Sequence, residues 1–219
     1  MSETAVTTTT EVPPQHVGPV GDYVRRQVAH LSGGYLANTS ASVAALARLR
    51  HALGKPVGAV PEALWWTIAG LPESVDAPSH GPSNEELAAH TAITLFAVHQ
   101  QSIRDRRMNT VNRSLGAAVG LLYRASDNKE GVRRRFQALS TASNWDEMVR
   151  HARGLIRMLN GARIPLDYGI LAADLLELQS VETVDDVRMR WGRDFYRIQY
   201  RADRANEASQ DSDESDTEN

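Results

Sequence analysis

The sequence contains no cysteine. That excludes disulfides, thiolate zinc sites and cysteine nucleophiles. It contains no run of about 18 apolar residues, so no membrane-spanning helix is expected. It shows no sustained period-2 alternation, which argues against sheet. It also lacks a metal-ligand cluster, a nucleophile arrangement and paired carboxylates in an apolar stretch, so an enzyme is the least expected reading and no cofactor or metal site is anticipated. Residues 1–17 are rich in Thr and Glu, with neither a basic nor an apolar leader region. A signal peptide is therefore not expected, and a cytosolic protein is the default.

What is present is an ordinary globular composition, 42 % apolar and 23 % charged over 219 residues, with enough chain to bury a real core. The charge is unevenly placed. The chain carries a net −3, yet residues 101–163 hold twelve Arg and one Lys against five carboxylates (Asp105, Asp127, Glu130, Asp146 and Glu147). A single-sign excess confined to one stretch implies an anionic partner. Residues 203–219 carry seven carboxylates against one Arg and no large apolar residue. This acidic tail and the head, residues 1–17, cannot bury enough apolar surface to offset the entropy of ordering, and both are expected to be disordered. The tail reads as a solubility feature or as an internal mimic of phosphate.

Between them, residues 18–202 read as one helical domain of roughly eight or nine helices. A helix is expected from Tyr23 to Leu36, interrupted at Gly33-Gly34. A second, capped by Ser40, stops at Gly54-Lys55-Pro56. Pro61 opens a third. Residues 72–84 form a Pro/Gly/Ser loop. The helix from Ser83 to Ile103 is apolar on several sides and therefore central; His90 and His99 within it are too far apart for a shared metal and are read as structural. Ser114 caps a helix whose Gly116 and Gly120 permit close packing. A phosphate cradle at Ser-Leu-Gly is the weaker reading of that segment. Asp167 to Leu178 and Val184 to about Arg201 complete the set. The last of these has balanced charges and is assigned to packing.

Two helices carry the functional argument. Over residues 130–141, Val132, Phe136 and Leu139 form the inward stripe, Arg134 points nearly opposite and Arg133 and Arg135 flank it. Over 144–160, seven apolar residues from Trp145 to Leu159 fall within roughly 60° of one line, and Arg150, Arg153 and Arg157 share the other side. Pairing of Asp146 with Arg150 would account for only one of the three. Arg in place of Lys suits bidentate contact with phosphate oxygens.

The segments LARLR (46–50), HQQ (99–101), NRSLGAA (112–118), RRRFQAL (133–139), HARGLIRML (151–159), IPLDYGILAADL (164–175) and WGRDFYR (191–197), in this order, resemble the CasB family, the small subunit of the type I-E CRISPR surveillance complex Cascade. The resemblance spans roughly residues 20–200. It implies an all-helical, non-enzymatic protein present in two copies, lying between the large subunit CasA and the CasC backbone subunits on the guide RNA. It implies too that a basic surface contacts the target strand and the displaced non-target strand of the R-loop. The family's basic positions fall here on Arg48 or Arg50, Arg107, Arg113, Arg133, Arg134, Arg150 and Arg153, with Arg157 added by the helical spacing. Arg50 lies near the apolar stripe of its own helix. With aromatics at only 6 %, contact is expected through phosphates rather than base stacking. The competing readings are a helix-turn-helix regulator of duplex DNA and a purely structural protein adaptor.

Overall fold

A computed structural model gives the structure of residues 15–72 and 78–215, with side chains apart from those of 202, 203 and 205–215. Residues 1–14 of the expected head, 73–77 of the expected loop and 216–219 of the expected tail lie outside the described residues. The described residues form nine helices and no strand: α1 (Gly18–Leu36), α2 (Ser40–Ala52), α3 (Pro61–Thr67), α4 (Asn84–His99), α5 (Leu115–Ala125), α6 (Lys129–Ser140), α7 (Trp145–Ala162), α8 (Tyr168–Glu177) and α9 (Val184–Ser215). The fold is all-α, as the helical periodicity predicts.

Local chemistry sets most boundaries. Ser83 caps α4 in a reciprocal capping box with Glu86; Ser114, Asn128, Asn144 and Asp167 accept backbone N–H bonds at the starts of α5, α6, α7 and α8. Each satisfies donors that a helix start leaves unpaired. Other boundaries differ from expectation. Pro19 in the first turn allows α1 to begin five residues before Tyr23. Gly33-Gly34 does not interrupt it; Gly34 serves packing instead, since a β-carbon there would meet Ser42 Oγ at 2.0 Å and its absence lets α2 close in. Thr39, not Ser40, caps α2. Helix α4 ends at His99 rather than Ile103. Helix α9 runs to Ser215, past the end expected near Arg201; the added stretch contains neither Gly nor Pro to stop a helix, and Ala202, Ala205, Glu207, Ala208 and Gln210 favour one.

The core is built around α4. Ala88, Ala89, Ala92, Ile93, Leu95, Phe96 and Ala97 are fully buried, and α1, α2, α3, α7 and α8 all pack against it. His90 and His99 are buried within it, in structural roles. His90 Nδ1 lies 3.2 Å from Thr67 Oγ1, and His99 Nδ1 lies 2.9 Å from the Tyr168 hydroxyl. Burial pulls the His99 pKa down to about 3, against the opposing carbonyls of Ile164 and Leu159. Helices α5 and α9 meet at backbone distance: a β-carbon at Gly116 would lie 2.2 Å from the Trp191 carbonyl oxygen. The small residues there serve packing, and Gly116 has no room to face a phosphate.

Two ionic links bind the helices. Arg25 on α1 donates from Nε to Asp167 Oδ1 at 3.1 Å and from Nη2 to Oδ2 at 2.7 Å. The same carboxylate accepts from the backbone N–H groups of Asn112, Gly169 and Ile170. Arg25 Nη1 also reaches the Gln15 carbonyl at 2.7 Å, and Val17 is buried, so packing starts inside the segment expected to be head. Between α8 and α9, Asp174 accepts from Trp191 Nε1 at 2.6 Å and Arg190 Nη2 at 2.7 Å.

Replacing Asp167 by Ala leaves Arg25 half-enclosed without its partner. Urea unfolding should show a loss of about 3–5 kcal/mol, the range for breaking a buried pair from one side. His99 supplies a pH signature. Its folded pKa is depressed, so its contribution is complete above the unfolded value near 6.5 and is lost as pH falls toward about 3. Between about pH 6 and 4, wild-type stability should fall more steeply than that of His99→Gln, by about 1.4 kcal/mol per pH unit, in unfolding curves recorded across that range.

Candidate nucleic-acid interface

Helices α6 and α7 pack together through Val132, Phe136 and Leu139 on one side and Met148, Val149, Ala152, Leu155, Ile156 and Leu159 on the other. The Arg residues predicted to face away do so. Arg133, Arg134, Arg135, Arg150 and Arg157 are exposed, and Arg153 is half-buried.

Their partners differ. Arg133 Nε donates to Glu130 Oε2 at 3.2 Å, one turn back on α6, and both side chains are open to solvent. Such an exposed pair is held weakly and can be exchanged for another anion. Arg135 donates to the Gly131 carbonyl at 3.2 Å. Among the described residues, no carboxylate pairs with Arg134, Arg150 or Arg157. The Asp146–Arg150 pair that the helical spacing permits does not form. Glu147 is likewise occupied: it accepts from the backbone N–H and hydroxyl of Ser143, each at 2.9 Å, and lies 3.6 Å from His151 Nε2. The bonds from Ser143 lower its pKa.

Arg150 and Arg153 border a cleft of about 480 Å³ between α7, α4 and the turn that follows α2. Lys55 stands on the opposite lip, its Nζ 2.7 Å from His51 Nε2. The Arg153 Nε is buried without a hydrogen-bond partner, an arrangement that costs stability unless something else repays it. Apolar walls from Leu53, Leu87 and Val149, with cations at the mouth, give a lined recess rather than a flat surface. Asp146 is the single carboxylate on its rim. The sequence placed Lys55 only in a helix stop; nothing in its local pattern relates it to Arg150, ninety-five positions away.

The remaining basic positions are spread out. Arg48 is exposed on α2, with no carboxylate beside it among the described residues. Arg50 is half-buried and its Nη1 is enclosed without a partner, as its place near the apolar stripe suggests. Arg107 is exposed on the segment joining α4 to α5, its guanidinium close to Gly33 of α1. Arg113 is half-buried and donates to the Pro165 carbonyl at 3.1 Å; burial lowers its pKa. Its guanidinium braces the turn into α8. On the same 101–113 segment Arg104 lies 4.6 Å over the Tyr35 ring, while Asp105 is held by Arg163. The structure thus brings Arg150 and Arg153 together with Lys55, leaves Arg48, Arg134 and Arg157 open, and engages Arg113 internally.

Three comparisons bear on this arrangement. A family model described as CRISPR-associated protein Cse2 matches residues 45–196. The fold is similar to the crystal structure of CasB from Thermobifida fusca, at 34 % identity and a TM-score of 0.66, over 80 % of this chain and 97 % of that one. It is similar also to CasB from M. ruber, at 22 % identity and a TM-score of 0.60 over 87 % and 99 % of the two chains. A chain of a CRISPR RNA-guided surveillance complex matches at 22 % identity and a TM-score of 0.66 over 85 % and 99 %. A comparison with curated proteins gives no match. Among the described residues, no helix is long and apolar enough to cross a membrane.

Proposed function

The chain belongs to the CRISPR-associated Cse2 family, and from that premise we propose that it is a non-catalytic small subunit of a type I-E Cascade complex that holds DNA strands by their phosphates. It would sit beside the large subunit CasA and the CasC backbone with its guide RNA, in two copies, and stabilise the R-loop. The observation that supports this most directly is the set of exposed guanidiniums without carboxylate partners among the described residues: Arg134 on α6 and Arg150 and Arg157 on α7. Each points away from a buried stripe, so none is needed for the core. An Arg kept on a surface without an acidic neighbour is available to an outside anion, and its planar fork matches phosphate.

The energetics fit the role. Exchange of a DNA duplex for a guide–target heteroduplex is nearly balanced, so a modest number of backbone contacts is enough to tip it. Such contacts must be neutral to sequence, because pairing with the guide supplies the specificity. Arg48, Arg107, Arg133, Arg153 and Lys55 extend the proposed surface. Arg50 and Arg113 are assigned mainly to holding it in shape.

A variant with Arg134, Arg150 and Arg157 changed to Ala should fold and enter the complex as wild type does. Its affinity for target DNA should fall by a similar factor on unrelated guide-matched sequences. The slope of log affinity against log salt should flatten by about 0.7 for each lost single-strand contact, or about 0.9 for duplex. A folded, incorporated variant with wild-type affinity and slope would falsify this reading and favour the adaptor.

A further inference from the structure

The balanced charges of α9 assign it to packing, and half of it packs. Val187, Trp191 and Phe195 are buried, and Gly116 and Gly120 of α5 lie against its backbone. The other half carries aromatic rings in the open. Tyr196 and Tyr200 are 60 % and 65 % exposed. They stand four residues apart and so share a face, about 6 Å apart along the axis. At 100° per residue, Arg193, Arg197 and Arg204 fall within about 60° of Tyr200, and all three are exposed. Arg197 lies 3.6 Å from Asp194; Arg193 has no carboxylate partner among the described residues.

The Tyr196 ring is not loose. It meets the buried Phe195 ring edge-on, with centroids 5.0 Å apart, and Phe195 in turn stacks on Phe136 of α6 at 4.9 Å. The aromatic column therefore runs from the core to the surface and fixes the outermost ring before anything binds. It also ties the strip to α6, the helix that carries Arg133 and Arg134, through Phe136.

We propose that Tyr196 and Tyr200, with Arg193 and Arg197 beside them, form a stacking platform for the bases of single-stranded nucleic acid. The proposal rests on the phosphate-binding reading above and adds to it a contact with base faces. The two residues stand one helical turn apart on the same face. Each ring can therefore take its own base from an extended, unpaired strand, whose bases are free to separate, and not from a stacked duplex. Arg193 and Arg197, to one side of the rings, would meet the phosphates of the same strand. Tyr and Arg also favour protein interfaces, but the buried centre of such an interface is depleted in charge, whereas among the described residues this face sets Arg193, Arg197 and Arg204 beside the two rings and Met189. A second copy would bring the same cations against these and repel.

The test compares, for the full chain at low salt, a fluorescent thymidine oligonucleotide of fifteen residues with an abasic oligonucleotide of the same length, which keeps the phosphates and lacks the bases. Wild type should bind the thymidine strand about tenfold or more tightly than the abasic one. Tyr196→Ala/Tyr200→Ala should bind both strands equally, with the wild-type salt slope, while Tyr196→Phe/Tyr200→Phe should keep the preference. Equal binding of both strands by wild type, with a normal salt slope, overturns stacking and leaves the phosphate reading intact. A thymidine preference with no salt dependence overturns the phosphate reading and keeps stacking. Loss of both preference and salt slope overturns both. A double Ala variant that binds thymidine as wild type does, yet loses self-association or entry into the complex, makes the face a protein interface and overturns the proposal.

Discussion

The Arg25–Asp167 pair is the constraint on which most of the arrangement depends. Both carboxylate oxygens are committed, one shared between Arg25 and the first turn of α8, the other between Arg25 and the Asn112 N–H. One buried group therefore fixes α1 against α8 and sets where the segment before α5 must pass. The pair tolerates burial because its hydrogen-bonding capacity is met from several directions, the condition under which a buried ion pair does not become a liability. Gly169 is part of the same arrangement, since a β-carbon there would come within 2.5 Å of Arg25 Cγ.

The chain treats its charges in two ways. Arg25, Arg113 and Arg190 are drawn into the fold, against Asp167, the Pro165 carbonyl, and Asp174 with Glu177. Arg134, Arg150 and Arg157 are left outside, paired with no carboxylate among the described residues. The distinction is one of surroundings and not of residue type, which explains why a count of Arg over residues 101–163 points to an anionic partner but cannot say which side chains would meet it.

The fold was legible because helix periodicity and caps are local properties. The capping bonds of Ser83, Ser114, Asn128, Asn144 and Asp167 all fall within three residues. The inward and outward faces of α6 and α7 were legible for the same reason. The rest was set by distant partners. The cleft joins Lys55 to Arg150 and Arg153 through tertiary packing alone. The balanced net charge of α9 concealed a segregated face, since charges that cancel in a sum need not neighbour one another in space; the scarcity of aromatics likewise says nothing about where the few are placed. The apolar stripe of α9 ends near Arg201, whereas the helix continues to Ser215 because nothing in the sequence breaks it.

The segment between α4 and α5 has its own keystone. The buried Gln100 side chain donates to the carbonyls of Ile103 and Arg106 and accepts from the Met108 N–H, so a single amide spans the loop that carries Arg104, Arg106 and Arg107. Asn160 fastens the same loop to α7 through the carbonyls of His99 and Gln101. Such a loop has no ordering step left to perform when it meets another surface. Its encounters are then governed by collision and electrostatic steering, and the time a complex forms in should follow ionic strength rather than a conformational clock.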